Sequence, residues 1–307
     1  MACHAGTGGG GGLRIIVHIG AHKTASTHLQ MAMGRAGERL RARGVAYFGP
    51  EALRRRGLGV PEYLSAEAED PDHAERIRAA LVRHPDQPCD RLVLSDENLL
   101  GNAHNVELIR TARLYPRAPA RLARLAPLLP AGQVVLALAI RNPAAFLASA
   151  YAQRLMSGRL QSYSDYTQGL DPARLSWADL IERVMAALPR ATCHVWRYED
   201  YPASAPEVLR TLLAEAAPAA RPGPGIAHPG LSARAHAALM AEAPALAARG
   251  EEAVRERVKA LRAAWPKDAQ SPGLQPHDPA TLARAAASYA ADCARIAALP
   301  GVHTLWR

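Results

Sequence analysis

The chain has 307 residues, 49% of them hydrophobic, which puts it near the upper size limit of a single hydrophobic core. Its net charge of +9 would suit an anionic ligand, but most of its many arginines read as solvated surface; aromatics are only 5% and no aromatic-interleaved basic stripe occurs, so nucleic acid is not an expected partner. Four scattered cysteines without a C-x-x-C pair, histidines without metal-ligand spacing and the lack of any apolar run of bilayer length argue against a disulfide framework, a metal site and a transmembrane segment, and fit a reducing, cytoplasmic setting.

The first twelve residues, MACHAGTGGGGG, have neither a basic start nor an apolar core. They do not read as a secretory signal, and their glycines predict a flexible leader, 1–12, ahead of one domain, 13–307. Nearly continuous apolar runs predict strands at Arg14–Ile19, Val45–Phe48, Arg91–Ser95, Val134–Ile140 and Thr192–Tyr198; such runs suit strands covered on both faces. A helix beginning near Ser26 is expected to run to Gly44. Asn142-Pro143 supplies an N-cap and a first-turn proline, and Gly158 a stop. Ser176 with Asp179, and Ser204 with Glu207, match capping-box variants. This alternation predicts an α/β fold, a three-layer sandwich with a central parallel sheet. From Ala217 to Gly230 the sequence APAARPGPGIAHPG is expected to be loop. Ala-rich helices are predicted at Ser232–Ala247, Glu251–Ala264 and Pro279–Leu299, so residues 217–307 make a helical third that either caps the active edge of the sheet or only packs against it.

The first strand runs straight into a chemically loaded loop, GAHKTAST, Gly20–Thr27. Ligands of an open parallel sheet bind beyond the C-terminal strand ends. There, a helix start offers N–H groups and a favourable dipole to an anion. Lys23 adds a compact positive charge, and Thr24, Ser26 and Thr27 add hydroxyl donors. The lysine stands out because only three of the 37 basic residues are lysines, Lys23, Lys259 and Lys267. A tight loop suits a point charge better than a planar fork. A nucleotide triphosphatase loop would have glycine directly before the lysine; here that residue is His22, and Gly20 stands three before Lys23.

HIGAHKTASTHLQ resembles the 5′-phosphosulfate loop of the PAPS-dependent sulfotransferases, most of all the bacterial pattern G-x-x-K-T-G-[ST]-T. It departs from that pattern at Ala25, where glycine is usual. A positive φ there would cost alanine about 1 kcal/mol. The family's second signature is an arginine ending a later strand with a serine eight residues on, the two holding the 3′-phosphate. VVLALAIRNPAAFLASAYAQRL supplies it as Arg141 and Ser149, with Pro143 and Tyr151 completing the look. An arginine fork suits phosphate oxygens, and the helix start is expected to add N–H groups.

The resemblance covers about residues 14–200. It implies a P-loop NTPase-like, sulfotransferase fold and an enzyme that moves a sulfonate from PAPS to a hydroxyl or amine, without metal. Gly20, His22, Lys23, Thr24, Ala25, Ser26, Thr27, Arg141 and Ser149 would bind the co-substrate. The acceptor stays open among small molecules, carbohydrates and lipids. Catalysis needs a cation at the leaving phosphate, for which Lys23 is placed, and a base at the acceptor. LVLSDENLLG, Leu92–Gly101, ends a strand on the same edge. Glu97 is the first choice of base and Asp96 the second, though Asp96 also suits a helix cap. His22 is a further candidate, as base or sulfonate ligand, while His18 reads as a core residue. A small-molecule kinase and a non-catalytic anion-binding module are the alternatives.

Overall fold

A computed structural model of the protein describes residues 12–54, 57–68, 70–82, 89–101, 106–223, 230–268 and 271–306. The expected leader lies, but for Gly12, outside the described residues. Six parallel strands form the sheet: β1 (Arg14–Gly20), β2 (Val45–Phe48), β3 (Arg91–Ser95), β4 (Gln133–Ile140), β5 (Thr192–Arg197) and β6 (Val302–Thr304), in the order β2-β3-β1-β4-β5-β6. Five of them coincide with the apolar runs to within a residue or two. The sixth is short and half-polar, so its sequence carries no strand signal.

Both faces of the sheet are covered, which is why the central strands are apolar at nearly every position. On one face Ile15, Val17 and Ile19 of β1 pack with Leu122, Phe146, Trp177 and Ile181. On the other, Ile16 packs with Leu29 and Met33 of the helix Ser26–Arg35 and with Val208 and Leu212 of the helix Tyr201–Leu213. The result is a three-layer α/β/α sandwich. From β1 the chain crosses to β2 at one edge and returns to β3 between them, then restarts with β4 on the other side of β1. The crevice between the C-terminal ends of β1 and β4 is therefore the topological switch point, the place where such sheets bind ligands.

Several helices depart from their sequence signals. The helix opening at Ser26 stops at Arg35, and a short second one, Gly37–Arg41, follows. Gly34 and Gly37 flank the break, where helix propensity is weakest. Ser204 and Glu207 do not cap a helix start; they sit inside Tyr201–Leu213, which Tyr201-Pro202 has already opened. The expected loop from Ala217 begins within a 3₁₀ segment, Ala214–Ala219, a form short enough to accept Pro218. Residues 224–229 lie outside the described residues. Ala233–Ala241 and Ala243–Ala247 replace one continuous helix. Together with Gly250–Ala264 they bury Leu239, Leu246, Val254 and Val258 against Ala150, Tyr151 and Leu155 of the helix Pro143–Met156. Among the described residues no helix is long and apolar enough to cross a membrane.

Candidate functional site

The turn after β1 is made by three left-handed residues, Gly20 (φ 84°), Lys23 (φ 65°) and Ala25 (φ 64°). Glycine is required at position 20 for a second reason. A Cβ there would stand 2.8 Å from the Glu97 Cβ and 3.3 Å from its Cα, a clash with the root of a side chain rather than with its flexible end. Ala25 does occupy the conformation that favours glycine, so the expected strain of about 1 kcal/mol is present.

Inside the loop Thr24 Oγ1 and Ser26 Oγ both donate to the Ala21 carbonyl, at 2.6 and 3.1 Å. Both side chains are buried. Their hydroxyl protons thus brace the loop rather than face outward, a correction to the expectation of hydroxyl donors. Thr27 is half-buried and its hydroxyl makes no bond among the described residues. The helix Ser26–Arg35 has no side-chain cap, because alanine stands at the cap position. Among the described residues no acceptor takes the backbone N–H groups of Lys23 to Thr27. Such a run of free N–H groups at a left-handed turn is an anion cradle.

The junction after β4 lies across the crevice. Arg141 donates from Nη1 to the Lys23 carbonyl at 2.8 Å, so the two sequence motifs are tied directly together. Its guanidinium lies over the Tyr198 ring, 4.5 Å from the centroid. Its Nε is buried and unpartnered among the described residues. The Trp177 indole donates to the Arg141 carbonyl at 2.6 Å, which fixes the backbone. Here the helix start is already taken: Asn142 Oδ1 accepts from Ala144 and Ala145, at 3.0 and 3.4 Å. The expected contribution of helix N–H groups is therefore absent at this junction, and Arg141 carries the positive charge alone. Ser149 is half-buried further along that helix, and its hydroxyl makes no bond among the described residues.

Lys23 reaches across to the same helix and donates to Gln153 Oε1. Burial, with help from the Arg141 charge, pulls its pKa down to about 8. It stays mostly charged at neutral pH, and a bound anion would hold it so.

His22 has both ring nitrogens engaged. Its backbone N–H donates to the Tyr115 hydroxyl at 3.1 Å, which leaves that hydroxyl's proton to go to Nδ1 at 3.0 Å. Nε2 must then carry the hydrogen and donate to Asn98 Oδ1 at 3.1 Å. Burial holds its pKa below the ordinary value, so the ring is neutral. His18 is wholly buried, its Nδ1 is 2.7 Å from Ser95 Oγ, and burial takes it down to about 4. It is the core residue expected.

The two carboxylates of the edge, Asp96 and Glu97, divide their roles. Asp96 is fully buried; Arg54 grips both its oxygens at 2.9 Å, and Asn98 N–H donates to it at 2.8 Å. That geometry is the cap reading, with no face left toward the crevice. Glu97 accepts from Arg54 and from Gln30, each at 2.9 Å. Burial raises its pKa, but the hydrogen bond from Gln30 and the Arg54 charge act against it, and the net shift is downward. It is ionised at neutral pH. Arg54, Gln30, Tyr115, Gln153 and Tyr198 all belong to the site; Gln30 and Gln153 lie inside the two motif stretches without being singled out, and the other three stand outside them.

A comparison with models of known protein families finds no match, and a comparison with curated proteins finds none either.

Proposed function

We propose that the protein is a PAPS-dependent sulfotransferase that moves a sulfonate to a hydroxyl or amine acceptor and releases 3′,5′-ADP. One observation carries this reading: Lys23 with its row of free N–H groups and Arg141 with its buried, unpartnered Nε face one crevice at the switch point, joined by a 2.8 Å hydrogen bond. Two separate cationic sites so placed suit a ligand with two phosphates, one at each end. The 5′ side would rest on residues Gly20 to Thr27, and the 3′-phosphate on Arg141 and Ser149. PAPS, when bound, supplies an activated sulfonate and a good leaving group. The chain's own residues have three tasks. Lys23 exchanges Gln153 for the phosphate and meets the charge that grows there; the N–H groups hold it without rearranging. Glu97, ionised and at the rim of the loop, takes the acceptor's proton once Gln30 or Arg54 yields one oxygen. His22 orders the loop through Tyr115 and Asn98 and donates through Nε2–H rather than acting as base.

The cheapest test is thermal stabilisation by nucleotides, since a ligand of the folded state raises its melting temperature by mass action. We expect 3′,5′-ADP to stabilise more than ADP, and more than ATP with magnesium. The reverse order would sink the sulfotransferase reading in favour of a kinase. Tight 3′,5′-ADP binding without turnover of any acceptor, or of PAPS by slow hydrolysis, would leave a binding module.

A further inference from the structure

A cleft of about 200 Å³ opens at the other end of the sheet, among the starts of β1, β2 and β3 and the turn after the helix Tyr201–Leu213. Arg14, Arg43 and Arg91 line it, with Asp90 and Glu215. We propose that this cleft is a second anion site, which takes a tetrahedral oxyanion, phosphate or sulfate, either free or as the head of an ester.

Charge is the first reason. Arg14 and Arg91 stand side by side in register on neighbouring parallel strands, an arrangement that costs stability unless something negative intervenes. Burial and then the Arg14 charge act on Arg91 in the direction that disfavours its cationic form, and the nearby Asp90 charge offsets this only in part. The carboxylates do not resolve this: among the described residues none of the three guanidiniums makes an ion pair. Elsewhere in the fold arginines such as Arg54, Arg183 and Arg295 are each paired with a carboxylate. Arg91 spends a donor on the Leu212 carbonyl at 3.3 Å and Arg43 one on the Arg39 carbonyl at 3.0 Å, which leaves most of the planar donor sets without a partner among the described residues. Those forks match oxyanion geometry.

Size is the second reason. A cleft of about 200 Å³ has ample room for a tetrahedral oxyanion together with its bridging waters. Asp90 and Glu215 on its walls would disfavour a polyphosphate. The site is separate from the Lys23 loop, because β1 runs between them and its seven residues at about 3.3 Å each put them roughly 20 Å apart.

The test must silence the loop, which also binds anions. Inorganic phosphate is titrated calorimetrically into the Lys23→Ala/Arg141→Ala protein, exchanged against chloride at constant ionic strength. Glycerol phosphate is run in parallel to distinguish a free oxyanion from an ester. We expect saturable binding. Adding Arg14→Gln and Arg43→Gln, both at exposed positions where the fold tolerates the change, should weaken it at least tenfold. A cooperative melt checks that this variant is folded. No saturable binding of either compound, or binding that survives the two added substitutions, would overturn the proposal.

Discussion

Two strand-to-helix junctions flank one crevice, and they finish their helices in opposite ways. After β4, Asn142 caps the helix and consumes the first N–H groups. After β1, alanine stands at the cap position, no side chain answers the N–H groups, and the turn is held instead by Thr24 and Ser26 bonding to the Ala21 carbonyl. The capped junction is stable and can offer an anion only a side chain. The uncapped one gives up a cap's worth of stability, about 1 kcal/mol, and keeps its backbone donors for something from outside. Binding capacity here is stability withheld.

The largest expected effect separates the two cations. On the proposed function, Lys23→Ala should reduce sulfonate transfer about a hundredfold or more, since it would remove a charge contact that strengthens in the transition state. Arg141→Ala should act mainly on binding, weakening 3′,5′-ADP far more than 5′-AMP. Equal losses for the two nucleotides would show that Arg141 does not read the 3′-phosphate. Because Lys23 titrates near 8, nucleotide affinity in the parent should also fall as pH rises above that value, and this slope should vanish in Lys23→Ala.

Beneath the loop, β1 carries His18 where β4 has Ala137 in register. The folded ring has a pKa of about 4 against 6.5 when unfolded, so the unfolded chain binds the proton first as pH falls. Stability should be full above pH 6.5 and drop by about 2–3 kcal/mol on the way to pH 4.5. Urea melts across that range measure it. His18→Gln should flatten the curve by that amount; an unchanged slope would mean that other groups dominate acid lability.

Smaller effects probe the caps themselves. Asn142→Ala should cost about 1 kcal/mol and leave 3′,5′-ADP affinity nearly unchanged, unless the freed N–H groups join in binding the anion and tighten it. Ala25→Gly should stabilise the protein by about 0.5–1 kcal/mol, since relief of the left-handed strain exceeds the loss of one partly buried methyl. Denaturant midpoints at constant slope resolve both.

Much of this was readable in the residues. β1 to β5 declare themselves because both their faces are covered, and the Asn142 and Ser176 caps because capping chemistry is local. The loop's lysine could be found from its place after a strand, and Arg141 through the resemblance to the family's second signature. What escaped is non-local. Arg54 reaches Asp96 and Glu97 from a segment without motif, and Tyr115 meets His22 from 93 residues away. No window of sequence contains such pairs. Ser204 and Glu207 misled for the reverse reason: their spacing is right for a cap, but Tyr201-Pro202 had already begun the helix. The hydroxyls of Thr24 and Ser26 were visible and their direction was not, because a loop's φ angles decide which way its side chains turn.

The short strand β6 has a consequence for how the molecule is made. It pairs with β5 through Cys193 to Val195, yet every helix from Tyr201 to Ala297 is translated in between. While those helices emerge, β5 presents an open row of backbone donors and acceptors, the kind of edge on which nascent chains stick to one another. Val302 to Thr304 close it late, with Leu305 N–H adding a last bond to the Val195 carbonyl at 2.9 Å. A few residues translated only after all of those helices thus decide when the edge of β5 stops being adhesive.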